Sequence, residues 1–159
     1  MRLWRISDYA DLNGEGGRYA PARWNSRGRP IVYLAEHPAL ALLENLAHLE
    51  AGPDDLPDTY QLLEVEAPDA IAAQEIDDAQ LSKTNADWRS DLALTRRLGG
   101  DWLMGGKTAL LRVPSVILPK AANVLLNPAH PDAASAKIID ITRPAYDRRL
   151  FAAKEGVRQ

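Results

Sequence analysis

Short apolar runs separated by prolines fill the second half of the chain and constrain its fold more than any other feature. Four such runs lie at residues 109–113, 115–118, 124–126 and 137–141, with prolines between them at Pro114, Pro119, Pro128 and Pro131. Proline interrupts helices, and short runs rich in Val, Ile and Leu that are bounded by turn residues are typical of strands. We therefore predict that these strands form much of a β-sheet.

The N-terminal segment combines strand and helix patterns. Residues 2–6 and 31–34 have the β-branched and aromatic composition of strands, and residues 8–17 are rich in the Asp, Asn and Gly that favour loops. Pro38 suits the first turn of a helix, which we expect to run to about Ala51. A strand followed by a helix is predicted here.

The middle of the chain is less regular. Residues 59–66 alternate between apolar and polar side chains, as a strand with one buried face does. The spacing typical of a helix recurs further along the chain, at Trp88, Leu92, Thr95, Leu98 and Trp102. The segment between these two patterns receives no assignment. The chain, residues 1–159, is predicted to be a single compact domain of the α+β class.

Composition excludes several classes of protein. The 159 residues are 46% hydrophobic and 26% charged, which is typical of a soluble globular chain with one sizeable core. The 19 basic and 22 acidic residues give a net charge of -3, so no overall field draws the chain to nucleic acid or to an anionic membrane. The absence of cysteine excludes disulfides and thiolate metal sites. No apolar stretch approaches the roughly 20 residues of a membrane span, and we expect a cytoplasmic protein.

Two glycine-rich stretches resemble nucleotide-binding motifs without matching them. Residues 99–108, GGDWLMGGKT, end like a P-loop, but the GxxxxGK[ST] pattern requires glycine where Asp101 stands. We interpret this stretch as a surface turn between a helix and a strand. Residues 14–17, GEGG, begin like a dinucleotide fingerprint, but Tyr19 occupies the third glycine position, and a flexible turn is predicted.

The histidines do not predict a metal site. Glu44 and His48 are four residues apart on one helical face, but His37 precedes Pro38 and is therefore biased away from the helix. We do not expect the three side chains to converge on a metal ion, and His130 is interpreted as a loop residue.

Glu44 is the residue whose position most needs an explanation. On a helix that starts at Pro38, the apolar stripe contains Leu40, Leu43 and Ala47, and Glu44 falls beside it. The side chain either reaches solvent at the edge of the stripe, where it pairs with His48, or points into a cleft. In the second case it requires a cation or a hydroxyl as partner, because an unpaired buried carboxylate costs several kcal/mol.

Three other residues have both a structural and a functional interpretation. Arg23 is either one arginine of a basic surface loop or the cation that a hairpin of residues 22–24 and 31–34 brings to Glu44. Tyr33 is either an ordinary core aromatic or part of a cleft. Ser115 begins an apolar strand, where a hydroxyl gains nothing unless it is hydrogen-bonded.

The order of the motifs resembles a known family, the RES domain family, which is named for its Arg, Glu and Ser and consists of toxins of bacterial toxin-antitoxin pairs. The matching fragments are Gly17-Arg18, Arg23-Trp24-Asn25 with Gly28, Val32-Tyr33-Leu34-Ala35, Ala41-Leu42-Leu43-Glu44, Val113-Pro114-Ser115, Asn127-Pro128-Ala129-His130-Pro131 and Tyr146-Asp147-Arg148-Arg149-Leu150. The resemblance implies a central, mostly antiparallel sheet flanked by helices, similar to ADP-ribosyltransferase toxins. It also implies a site formed by Arg23, Tyr33, Glu44 and Ser115, with Arg18 and Asn127 as candidate lining residues.

The resemblance further implies NAD as substrate, with no metal. In this interpretation Glu44 stabilises positive charge at the ribose carbon while nicotinamide leaves, and Arg23 holds the pyrophosphate. Tyr33 packs on the nicotinamide ring, and Ser115 hydrogen-bonds either Glu44 or the substrate. The ADP-ribosyl acceptor stays open between water, phosphate and a protein side chain.

The family also implies partners. These are an Xre-type antitoxin with a helix-turn-helix domain, which would supply any contact with DNA, and a second copy of the chain in a homodimer. An alternative from another class is a catalytically inert module that binds NAD or a partner without turnover.

Overall fold

A seven-stranded sheet forms the centre of the fold in the computed structural model, which describes residues 1–49 and 55–151. The strands are β1 (Arg2–Ile6), β2 (Val32–Ala35), β3 (Leu62–Glu66), β4 (Ala73–Glu75), β5 (Leu110–Pro114), β6 (Ala122–Leu126) and β7 (Lys137–Thr142). Their order across the sheet is β4-β5-β6-β2-β1-β3-β7. The short β4 runs parallel to β5, and the other neighbouring strands are antiparallel. The predicted α+β class with a mostly antiparallel sheet is confirmed.

Four helices pack around this sheet. They are α1 (Gly16–Tyr19), α2 (Pro38–His48), α3 (Asp78–Thr84) and α4 (Leu92–Gly105). The predicted start of α2 at Pro38 is confirmed, and the imidazole Nδ1 of His37 caps it by accepting from the Ala39 N–H. The helix ends at His48, and the predicted end at Ala51 lies outside the described residues. No helix in the described ranges combines the length and the apolar character that a membrane crossing requires.

Two predicted elements in the second half of the chain differ from the structure. Residues 115–118 are a turn and not a strand, because the Ser115 hydroxyl accepts hydrogen bonds from the N–H groups of Ile117 and Leu118 and so competes with strand pairing. The helical pattern that begins at Trp88 is split, since a 3₁₀ turn (Trp88–Ser90) precedes α4 and the Asp91 carboxylate then caps that helix.

Successive side chains along each strand point to opposite faces of the sheet, so the hydrophobic core has one part on each face. Within β5, Leu110 packs with Leu3, Val32 and Val124 on one face, whereas Leu111 packs on the other. This second face is covered by large side chains of the helices and loops, which are Trp24, Leu81, Trp88, Leu94, Trp102 and Leu103. Each fully buried side chain of this size contributes about 1.5–3 kcal/mol or more relative to exposure. The site described below lies on this second face.

Helix α4 approaches the loop that follows α1 unusually closely. A Cβ added at Gly99 would lie 1.8 Å from the carbonyl oxygen of Trp24, so only glycine allows this contact. The contact fixes the backbone beside Arg23 against the helix.

Candidate active site

A cavity of about 770 Å³ opens between β2, α2, the loop that follows α1 and the turn that follows β5. Its volume lies within the range of about 300–1,000 Å³ that is typical of small-molecule sites. Arg23, Tyr33 and Glu44 all line it. The structure therefore brings three of the predicted site residues to one cavity.

The carboxylate of Glu44 is held in a fixed orientation at this cavity. Its Oε1 accepts a hydrogen bond of 3.0 Å from the Ser115 hydroxyl and one of 2.8 Å from the Asn123 side-chain amide. Both bonds are to Oε1, and within the described ranges no residue hydrogen-bonds Oε2, so this second oxygen is left for a ligand. Of the two orientations left open for Glu44, the structure shows the inward one, and the partners are a hydroxyl and an amide instead of the guanidinium of Arg23. The His48 ring nitrogen bonds the backbone oxygen of Glu44 and not its carboxylate.

Ser115 supports Glu44 from behind the cavity wall. Its side chain is 1% exposed, and its hydroxyl donates to Glu44 while accepting from the backbone N–H groups of Ile117 and Leu118. The hydroxyl is thus fully used inside the protein. Glu44 and the substrate were the two predicted hydrogen-bond partners of Ser115, and the structure shows the bond to Glu44.

Asn123 is a site residue that the sequence analysis missed. It lies in β6, where it is paired with Ala35 of β2, and its side chain lines the cavity. The available signal was a single amide in the otherwise apolar run Ala122–Leu126. A half-buried amide in such a strand favours a hydrogen-bond partner within the protein, and here the partner is Glu44.

Arg23 reaches the cavity from a loop and not from a hairpin. Residues 22–24 form no strand, which corrects the prediction, because α4 holds their backbone in place of strand pairing. The Thr95 hydroxyl donates to the Arg23 carbonyl at 2.7 Å, and Arg96 Nε donates to the Ala22 carbonyl at 2.8 Å. The Arg23 guanidinium donates to the Arg89 carbonyl at 2.8 Å and forms no ion pair with any described residue, which leaves its charge available to an anion.

Arg96 is a second cation that the sequence did not indicate. It lines the cavity together with Arg23, and the charges of both arginines favour the ionised form of Tyr33 and so lower its pKa. Arg5 lines the cavity as well, so three arginines and one fixed carboxylate share it.

Tyr33 ties β2 to the loop that carries Arg23. Its hydroxyl donates to Asn25 Oδ1 at 2.7 Å and accepts from the Trp24 N–H at 3.0 Å. Burial raises the pKa of Tyr33 well above its ordinary value, and the Trp24 N–H, Arg96 and Arg23 oppose this shift only in part. The group is therefore a neutral phenol whose ring lines the cavity.

The structure does not place Arg18 and Asn127 on the cavity wall. The exposed Arg18 guanidinium pairs with Glu15 at 3.2 Å, one helical turn away. Asn127 is 4% exposed, and its Oδ1 accepts from the Ala129 N–H at 3.1 Å, so the amide closes the Asn-Pro turn that follows β6. Local hydrogen bonds occupy both side chains.

The stretches that resemble other motifs have structural roles. Residues 99–105 are the last turns of α4 and not the predicted surface turn, so only the residues after them connect α4 to β5. Gly106 ends the helix in a left-handed conformation with φ of 57°. The predicted flexible turn at residues 14–17 is instead the start of α1, a single helical turn. Within residues 1–49 and 55–151, no three histidine or carboxylate side chains are arranged to hold a metal ion.

The end of α2 is anchored by a residue far along the chain. Asn45, which follows Glu44 and also lines the cavity, donates from Nδ2 to the Tyr146 hydroxyl at 2.8 Å. The Tyr146 ring packs in turn against Tyr60, with ring centroids 4.7 Å apart and ring planes tilted by 43°. This contact restrains the half of the helix that carries Glu44.

Comparisons with known proteins identify relatives of this chain. The RES domain matches residues 2–148. The protein named Toxin Res from Pseudomonas putida is 47% identical over 151 residues, which cover 95% of this chain and 100% of that protein. The Prs ADP-ribosylating toxin of a Sphingobium species is 39% identical, over 94% of this chain and 96% of that protein.

A solved structure shares the fold. The crystal structure of the M. tuberculosis MbcT-MbcA toxin-antitoxin complex contains a chain that superposes with a TM-score of 0.73 at 16% identity. The match covers 94% of this chain and 86% of that one. The match of the RES domain and the identity to the two relatives show that this chain belongs to the RES domain family.

Proposed function

We propose that this protein is the toxin of a toxin-antitoxin system and that it cleaves the bond between nicotinamide and ribose in NAD. Membership of the RES domain family and the names of its relatives, Toxin Res and Prs ADP-ribosylating toxin, support this proposal. The observation that carries it is the Glu44 carboxylate, which Ser115 and Asn123 both hold through Oε1 while Oε2 is left for a ligand.

The proposed chemistry follows from a fixed negative charge in a cavity. When the bond to nicotinamide breaks, nicotinamide departs neutral and the ribose carbon gains positive charge, which a nearby carboxylate stabilises as in glycoside cleavage. Two hydrogen bonds keep Glu44 oriented before the substrate arrives, so no reorganisation is required during the reaction. Oε2 is the oxygen that would face the ribose.

The cations of the cavity suit the other half of the dinucleotide. A guanidinium stays charged in a cleft and matches phosphate oxygens with two parallel hydrogen bonds, so we assign the pyrophosphate to Arg23. Arg96 lines the same cavity and adds a second positive charge there. The buried Tyr33 ring offers an apolar surface for the nicotinamide ring, and its hydroxyl is already used by Asn25 and Trp24.

The acceptor of the ADP-ribosyl group distinguishes two versions of the reaction. Transfer to water or phosphate would make the protein an enzyme that depletes NAD, whereas transfer to a protein side chain would make it an ADP-ribosyltransferase. The name of the Sphingobium relative supports the second version.

An antitoxin is part of the proposal. The structural neighbour is a toxin in complex with its antitoxin, which supports a partner of this kind. An Xre-type helix-turn-helix antitoxin, a homodimer and action in the cytoplasm stay predictions from the family resemblance.

One experiment tests both the reaction and its acceptor. The protein is incubated with NAD labelled in the adenosine part, with and without phosphate and with a cell lysate, and free nicotinamide and labelled protein bands are measured. We expect nicotinamide release, with the label either in small molecules or on a protein. Unchanged NAD in every arm would contradict the proposed reaction and would favour the inert binding module.

A further inference from the structure

A second cavity, of about 360 Å³, lies outside the proposed NAD site. It is bounded by the loop of residues 26–29 on one side and by one face of α4 on the other. Four arginines line it, and they are Arg27, Arg29, Arg96 and Arg97. Among the residues that the structure describes, Asp101 is the one carboxylate of its lining, so this part of the surface is strongly positive on a chain whose net charge is -3. We refer to it as the arginine groove.

The arginines of this groove lack the carboxylate partners that several other arginines of the described residues have. Carboxylates pair with five others, which are Arg2, Arg18, Arg89, Arg112 and Arg149. Within residues 1–49 and 55–151, none of the four groove arginines forms an ion pair. Four adjacent like charges repel one another and cost stability when they face only water. Such a cluster indicates a surface that meets negative charge from outside.

The groove is held open by the backbone. Gly28 has a φ of 125°, which favours glycine, and its N–H donates to the Gly17 carbonyl at 3.1 Å, so the loop is tied to α1. Across from it, Gly100 has no heavy atom within 4 Å of an added Cβ and leaves the face of α4 open. A ligand therefore meets a surface that is already formed, which lowers the entropic cost of binding.

The exposure of the groove arginines favours a peptide with several carboxylates over a small anion. Arg27, Arg29 and Arg97 are exposed, and at such sites water competes with each single contact, so one phosphate or carboxylate gains little. A chain segment with several carboxylates makes several contacts at once. Met104, 63% exposed, adds an apolar contact to the lining, which suits a peptide better than a nucleic acid backbone.

We propose that the arginine groove binds an acidic segment of a partner protein. Arg96 lines both the groove and the large cavity, so a segment bound in the groove lies beside the opening where Arg23 and Glu44 act. The inference concerns binding alone and holds whether or not the chain cleaves NAD.

Fluorescence anisotropy with a labelled deca-glutamate peptide tests this proposal in the absence of NAD. The double variant Arg27→Glu/Arg97→Glu changes two exposed residues that lie outside the large cavity, and its matched control is Lys137→Glu on the far edge strand β7. We expect the double variant to bind the peptide about tenfold more weakly, because two attractions become two repulsions. The control should bind like the wild type, and added salt should weaken binding in both.

Two further measurements keep the outcome unambiguous. Thermal melting checks that the variants are folded, and Arg27→Gln/Arg97→Gln, which removes charge without reversing it, should give an intermediate affinity. The proposal is overturned if no saturable binding of the acidic peptide occurs below about 1 mM, if the double variant binds as tightly as the wild type, or if a dT oligonucleotide binds more tightly than the peptide. A folded protein that binds the peptide but leaves NAD intact would contradict only the proposed reaction.

Discussion

Replacing Glu44 by glutamine tests the proposed site with the smallest change of shape. The amide oxygen of glutamine can take the place of Oε1 and accept from both Ser115 and Asn123, as the carboxylate does at 3.0 and 2.8 Å. The amide NH₂ then takes the place of Oε2 at the cavity. The substitution therefore removes the charge and leaves the two hydrogen bonds in place.

The expected loss of activity follows from the role of that charge. Removing one preorganised group that stabilises charge in a transition state costs about 10²–10³-fold in rate, or roughly 3–4 kcal/mol. We expect nicotinamide release by Glu44→Gln to fall by this factor while NAD binding changes little, since the proposed contacts of Arg23 remain.

Stability separates this effect from damage to the fold. Hydrogen bonds to a charged group contribute about 1.5–3 kcal/mol and neutral ones about 0.5–1.5, so Glu44→Gln should lower Tm by a few degrees. Glu44→Ala leaves the Ser115 hydroxyl and the Asn123 amide without their acceptor, at about 1–3 kcal/mol each, and should lower Tm further.

The assay measures nicotinamide release by chromatography, NAD binding by calorimetry and Tm by circular dichroism. Glu36→Gln is the matched control, because it makes the same chemical change at an exposed carboxylate that pairs with Arg112 outside the cavity. The reasoning is refuted if Glu44→Gln releases nicotinamide as fast as the wild type, or if the control loses activity to the same extent.

Three other predictions concern the loop that carries Arg23. Arg23→Ala should weaken NAD binding about tenfold or more through loss of charge-assisted hydrogen bonds, and equal affinity in calorimetric titration would contradict its role. Gly99→Ala places a Cβ 1.8 Å from the Trp24 carbonyl and should destabilise the fold by more than about 2 kcal/mol, whereas Gly100→Ala meets open space and should be neutral or stabilising in urea titration. Burial raises the pKa of Tyr33 in the folded state above the value near 10 of a free tyrosine side chain. Just above pH 10, therefore, the Tyr33 side chain loses its proton in the unfolded chain and keeps it in the folded one, so the free energy of unfolding falls as pH rises. Between about pH 9.5 and 11 the urea midpoint should therefore fall more steeply for the wild type than for Tyr33→Phe, and parallel profiles would count against this linkage.

Local patterns predicted most of the strands and helices. Residues 2–6, 124–126 and 137–141 lie within strands, because β-branched and apolar runs of this length carry their preference in their own side chains. The start of α2 at Pro38 follows equally from local chemistry. The failure at residues 115–118 has a physical reason, since the Ser115 hydroxyl bonds two following N–H groups and replaces the strand by a turn.

The sequence by itself placed Glu44 at the edge of the apolar stripe of its helix, because a period of 3.6 residues sets it beside Leu40 and Ala47. It left open whether the side chain points to solvent or into a cleft. Only the tertiary structure decided what it meets. Its partners Ser115 and Asn123 lie 71 and 79 residues further along the chain, and they reach it because β6 pairs with both β2 and β5. Strand order depends on long-range packing and not on local propensity, so no window of the sequence contains this arrangement.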